Sequence, residues 1–197
     1  MLAKAITFLG LISLAACGSP QAIPKDNYYR LEINLPSKPY AAPSLEGVVE
    51  VERFLADGIT GERALVYSSA NSPGVVRQYH YHYWVDTPGR MLQERLTEYL
   101  RAANVATQVI NPGLRINTNS QIKGRIIRYE HALGESSAKV IVEIELAVIN
   151  LKDNKAIKLA VYKEEESAKD NSIPEAVAAF GRAYGRLLDK FTRDLNG

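Results

Sequence analysis

The chain has 197 residues, 46% of them hydrophobic and 23% charged, with a formal net charge of +2. That composition is ordinary for a folded globular domain, and so small a charge gives no electrostatic footprint for nucleic acid. A single cysteine excludes an internal disulfide framework.

Met1-Leu2-Ala3-Lys4 carries one positive side chain and leads into an apolar run from Ala5 to Leu14. A membrane-spanning helix needs about 20 such residues, so the run has the length of a signal-peptide core, which is set aside before the fold is considered. Leu14-Ala15-Ala16-Cys17 then has the form of a lipobox: Leu, two small residues and the cysteine that takes diacylglycerol before cleavage and a further acyl chain, such as palmitate, after it. Two other readings compete. One is an ordinary secretory signal in which Cys17 is incidental; the other is a core cysteine on a buried N-terminal helix. An exported chain with one unmodified thiol carries a liability, and lipidation of Cys17 removes it. Two or three acyl chains hold a protein stably at a membrane, whereas one does so only marginally. Gly18 follows the cysteine where an Asp would resemble an inner-membrane retention signal, so the expected destination is the outer membrane facing the periplasm, with the inner membrane as the alternative. The expected organisation is a signal peptide over 1–16, a lipidated flexible tether over 17–26 and one domain over 27–197. That domain falls within the usual single-domain size.

Alternation of Tyr29, Leu31 and Ile33 predicts a first strand over 28–33, and Pro36, Pro39 and Pro43 hold an extended loop after it. Strands follow at 48–54 and 64–67, joined through Asp57-Gly58-Ile59-Thr60-Gly61. A long strand over 75–85 comes next, placing Tyr79, Tyr81 and Tyr83 on one face and His80, His82 and Trp84 on the other. Asp86-Thr87-Pro88 opens a helix whose buried stripe is Leu92, Leu96, Tyr99, Leu100 and Ala103. A short strand at 105–110 precedes three long ones at about 121–133, 139–151 and 156–167, separated by hairpin-type loops. In the middle strand Val140, Val142, Ile144, Leu146 and Val148 share a face, as a half-buried antiparallel strand requires. Pro174 opens a last helix with the stripe Val177, Phe180, Tyr184, Leu187, Leu188, Phe191 and Leu195. The expected fold is α+β: an antiparallel sheet with two helices on one face, in the order strands, helix, strands, helix.

The lipobox, the strand Tyr28-Tyr29-Arg30-Leu31 soon after it, Tyr83-Trp84-Val85 followed by Asp86-Thr87-Pro88, the helix start Met91-Leu92-Gln93 and the terminal helix together resemble the ABC-type transport auxiliary lipoproteins. The resemblance covers nearly the whole mature chain. It implies a non-catalytic periplasmic lipoprotein working beside an ABC permease and ATPase, or a mammalian-cell-entry-domain protein, that moves lipid or other hydrophobic cargo. Assembly into a homo-oligomer is implied by the same analogy. The rival reading is an assembly or scaffold lipoprotein of the outer membrane, independent of any ATPase.

The remaining candidate chemistry is thin. His80 and His82 share a strand face as a metal-chelating pair would, but His131 is the only other histidine, and a metal needs further ligands. Two polar side chains on a half-exposed face account for the pair equally, so no metal and no cofactor is expected. There is no Gly-x-Ser-x-Gly elbow and no phosphate-binding loop, so no catalytic residue is assigned and any ATPase is a separate subunit. Glu164-Glu165-Glu166 reads as a solvated edge that resists strand addition. Eleven tyrosines against four phenylalanines is a bias toward side chains with an apolar body and a polar tip. Tyr79, Tyr81 and Tyr83 are either core packing, because strands favour aromatics, or an aromatic face presented to a partner or neighbouring protomer.

Overall fold

The computed structural model describes residues 24–135 and 137–197; the leader and Cys17 lie outside the described residues. Among the described residues, nine strands form one curled, mixed sheet: β1 (Asn27–Tyr29), β2 (Leu45–Val51), β3 (Leu55–Ala56), β4 (Ala64–Ser69), β5 (Val76–Trp84), β6 (Ala106–Ile110), β7 (Ser120–Leu133), β8 (Ala138–Asn150) and β9 (Lys155–Ser167). Helix α1 (Pro88–Ala102) separates β5 from β6, and α2 (Ile173–Asn196) closes the chain.

The three long strands pair as the alternation predicts. Strand β8 runs antiparallel to β7 from Ser120↔Asn150 to Leu133↔Ala138, and β9 runs antiparallel to β8. The expectation of a wholly antiparallel sheet is corrected on the other side of β7. There β2, β3 and β4 lie end to end along one edge, and all three run parallel to β7. Strand β6 is parallel to β2, and β1 to β5; β4 with β5 is the remaining antiparallel pair. Parallel pairing needs a long crossover, and α1 with its flanking strands supplies one between β4 and β7. Hairpin loops reveal only antiparallel neighbours, so this half of the topology left no local mark.

The first strand is shorter than its alternation predicts. After Tyr29 the chain leaves the ladder and crosses α2, burying Leu31. Gly181 allows the approach: a Cβ there would stand 2.0 Å from the Glu32 carbonyl oxygen.

Both helices pack on one face of the sheet. Val140, Val142, Ile144, Leu146 and Val148 of β8 are fully buried beneath them, with Phe180, Tyr184, Leu187 and Phe191 of α2 and Leu92, Leu96 and Leu100 of α1 in the same core. Trp84, Tyr129 and Phe180 form an aromatic cluster with centroids 4.4–5.6 Å apart. The helices are also tied by polar contacts. The Tyr184 hydroxyl donates to the Leu92 carbonyl at 2.9 Å, and that of Tyr99 donates to Asp189. Where β2 leaves the sheet, Gln93 donates to the Val51 carbonyl at 2.7 Å, satisfying a group that burial would otherwise penalise.

Strand β7 carries two irregularities. Gly124 lies under the Phe54 ring, whose carbons would stand 2.4–2.6 Å from a Cβ at that position; glycine inside a strand commonly marks such an approach. A bulge between Ile126 and Arg128 then reverses the alternation. Ile122 and Ile126 face the helices before it, Tyr129 and His131 after it, and Ile127 is turned outward. Gly124→Ala should therefore cost about 1–3 kcal/mol by overpacking, read as a lower urea midpoint. Combining it with Phe54→Leu should recover part of the loss, and a double variant no better than the single one would contradict this contact.

Candidate functional site

Strand β5 holds the aromatic residues singled out in the sequence, but it is not one regular strand. It advances from Gln78 to Tyr83 while β4 retreats only from Val66 to Ala64, and Tyr81 within that span takes φ 64°. A left-handed conformation at a bulky residue costs on the order of 1–2 kcal/mol, and it breaks the period of two. The three tyrosines consequently have three environments. Tyr79 turns toward the helices, 4.4 Å between centroids from Tyr67. Tyr83 stacks on Tyr28 at 5.6 Å, with the Arg63 guanidinium over the Tyr28 ring. Tyr81 is 42% exposed beside His80.

The histidines are separated in the same way. His82 Nδ1 is 2.8 Å from the Tyr29 hydroxyl, while His80 is exposed. His131, opposite Tyr67 in the β4–β7 pairing, is fully buried, and its Nδ1 is 2.9 Å from the Tyr79 hydroxyl. Its Nε2 has no hydrogen-bond partner among the described residues. Burial lowers the His131 pKa and, with the nearby Tyr67, pushes the Tyr79 hydroxyl up to about 12, so both are neutral at physiological pH. No group of three His, Cys, Asp or Glu side chains stands ready for a metal among the described residues.

The glutamate run is not a solvated edge. Glu164 and Glu166 face α2, and only Glu165 points outward, paired with Lys139 at 2.6 Å and Lys163 at 3.0 Å. Arg186 bonds both inward carboxylates, at 3.0 and 2.6 Å; Arg182 reaches Glu166 at 2.7 Å, and Lys190 pairs with Glu164. Burial pushes the Glu166 carboxyl up, but the guanidiniums of Arg182 and Arg186 outweigh it and hold the group below its ordinary value. The sequence signal for this clasp was the i, i+4, i+8 spacing of Arg182, Arg186 and Lys190, which sets three cations on one helical stripe.

On the opposite face of the sheet from the helices, a groove of about 680 Å³ lies between the β4–β5 hairpin, the 3₁₀ turn at Gly58–Gly61 and the end of β7. Ile59, Val75, Val76 and Ile127 line it, and Glu130 stands in its floor beside Arg128 and Ser68. Nothing in the sequence announces it, because the bulge that exposes Ile127 breaks the alternation on which face assignments rest. No helix among the described residues is long and apolar enough to cross a membrane.

The family model described as the ABC-type transport auxiliary lipoprotein component matches residues 29–191. No curated protein matches the chain. Among solved structures, protein XCC0632 from Xanthomonas campestris is 16% identical with a TM-score of 0.74, and the match covers 84% of this chain and 92% of that one. A crystal structure of an uncharacterised protein is 12% identical with a TM-score of 0.69, covering 87% of this chain and 99% of that one. At these identities the likeness is one of fold.

The buried imidazole predicts a pH dependence. Unfolded, His131 takes up a proton near its ordinary pKa of about 6.5; folded, it resists until lower pH. Its contribution to stability is thus present above the ordinary value and lost as pH falls toward the folded one. Urea unfolding between pH 7.5 and 5.5 should show wild-type stability falling more steeply than that of His131→Leu; equal slopes would contradict the assignment.

Proposed function

The chain belongs to the ABC-type transport auxiliary lipoprotein family, and from that premise we propose that it is a non-enzymatic, lipid-anchored subunit of an envelope transport system. The observation that carries the reading is the order of features: a lone cysteine closing Leu14-Ala15-Ala16-Cys17, then the family domain from residue 29 onward. Cleavage after residue 16 leaves Cys17 to carry the acyl chains. Residues 17–26 are the tether, and the domain over 27–197 stands on the periplasmic side of the outer membrane. The transport system is an ABC permease and ATPase acting with a mammalian-cell-entry-domain protein, and its cargo is lipid or another hydrophobic molecule.

A subunit of this kind works by contact. The exposed Tyr81, the Tyr28–Tyr83 stack and the cation over it give β1 and β5 an aromatic surface with polar tips, a composition enriched at protein interfaces. Tyr79 supports that surface from behind through Tyr67 and His131. The positive φ at Tyr81 fits the same purpose, because backbone strain is retained where a side chain must be aimed.

Affinity purification of the tagged protein from detergent-solubilised membranes should recover a mammalian-cell-entry-domain protein or an ABC permease. Tyr81→Ala should weaken that recovery by about tenfold if Tyr81 acts as one aromatic anchor. Recovery of an outer-membrane barrel alone would overturn the transport reading. Cys17→Ser should leave the domain folded while abolishing its sedimentation with membranes; tight membrane association of that variant would remove the anchor.

A further inference from the structure

The groove on the helix-free face shares no lining residue with the aromatic residues of β1 and β5 or with the inward-facing glutamates of the clasp. Outward positions of a sheet with one covered face are ordinarily polar, yet four apolar side chains from four segments meet here. Ile59 comes from the 3₁₀ turn, Val75 from the hairpin turn, Val76 from β5 and Ile127 from the β7 bulge, each 36–44% exposed. Single exposed apolar residues are normal, whereas here four converge on one groove. The groove's 680 Å³ lies in the range of small-molecule sites.

Its polar end carries the chemistry. The Glu130 side chain is only 8% exposed. Ser68 Oγ donates to its Oε1 at 3.1 Å, and the Arg128 guanidinium donates to the same oxygen. No described residue donates to Oε2. A carboxylate can accept about four hydrogen bonds, so this one keeps much of its capacity open to a donor entering the groove. Arg128 is 40% exposed and retains donors beyond the one it gives to Glu130. Lys139, at the rim, is already paired with Glu165. The polar end therefore presents one negative and one positive group side by side, with little net charge. An anion would meet Glu130 and a cation would meet Arg128; a zwitterion satisfies both.

We propose that this groove binds an ethanolamine phospholipid. The primary ammonium donates to Glu130 Oε2, the phosphate accepts from the Arg128 guanidinium, and a segment of acyl chain lies on Ile59, Val75, Val76 and Ile127. Guanidinium–phosphate pairing is among the stronger charge-assisted contacts, and an ammonium bearing N–H groups can bond a carboxylate where a trimethylammonium cannot. The open groove holds a headgroup and part of one chain and leaves the remainder in contact with solvent or a second protein. The proposal rests on the transport reading for the origin of the lipid, while its binding chemistry stands on these residues.

The protein carrying Cys17→Ser can be titrated with lysophosphatidylethanolamine, lysophosphatidylcholine, lysophosphatidylglycerol and free phosphoethanolamine. Each lipid is kept below its micelle concentration, and amide chemical shifts are followed. The ethanolamine lipid should bind about tenfold more tightly than the choline and glycerol lipids, roughly what one charged hydrogen bond is worth, and more tightly than phosphoethanolamine through its acyl chain, with shifts confined to the groove. Glu130→Gln should abolish the preference over choline while leaving the unfolding midpoint near wild type, and Arg128→Gln should weaken all three lipids, since each carries the phosphate. Ile127→Asp should weaken all three lipids and leave phosphoethanolamine unchanged. Equal affinity for the three lipids, shifts located elsewhere, or phosphoethanolamine binding as tightly as the lipid would overturn the proposal. None of those results bears on which proteins co-purify, so the transport reading stands or falls separately.

Discussion

Every other element is positioned by the two edges of β7. One edge is taken along its full length by β8, and the other is divided among β2, β3 and β4 in succession. Buried peptide groups are rarely left unpaired, and where these short strands give way to one another the amides of the connecting chain are satisfied beyond the strand pairings. The Glu52 amide bonds the Ile122 carbonyl, the Phe54 amide bonds Gly89 at the start of α1, and the Trp84 amide bonds Arg63. These substitutions fix where α1 begins and where β5 ends. The bulge in β7 then decides the faces. It turns Tyr129 and His131 into the core and Ile127 out of it, so one irregularity builds the aromatic support behind β5 and the apolar wall of the groove.

What the sequence revealed and what it concealed divide along the same line. Long strands joined by short loops declare themselves, because period-two alternation and hairpin chemistry are both local; β7, β8 and β9 were legible to within a residue or so. Both helices were legible from their apolar stripes and their Pro-marked starts. Parallel pairing was not, because Val49 meets Ser120 across about seventy residues of chain with no turn to announce it. Tyr81 concealed a break in its strand, since a tyrosine at positive φ has no compositional signature. Glu164 and Glu166 looked solvated because their cations lie on a helix that folds back over them. Cys17 was the opposite case, a residue whose proposed role is readable from motif alone.

The two faces of the sheet have different characters. The helix-covered face is closed by the aromatic cluster, by tyrosine hydroxyls bonded across elements and by the Arg186-centred clasp. The proposed contact surfaces lie on the aromatic β1–β5 side and on the outer groove, where exposed tyrosines, an outward isoleucine and a largely buried carboxylate with spare accepting capacity are found. A domain that carries its distinctive residues on open surfaces is suited to holding another protein or an amphiphile, and membrane attachment would set which of them it meets. On the proposed reading, location and contact do the work that a catalytic constellation does in an enzyme.

Attachment through Cys17 is therefore the central claim, and intact mass spectrometry of the protein extracted from its own membranes tests it most directly. The expected species is a chain beginning at Cys17 whose mass exceeds that of the polypeptide by a diacylglyceryl group and a further acyl chain, all of the excess on the N-terminal fragment. A chain beginning elsewhere, or an unmodified Cys17, would contradict it.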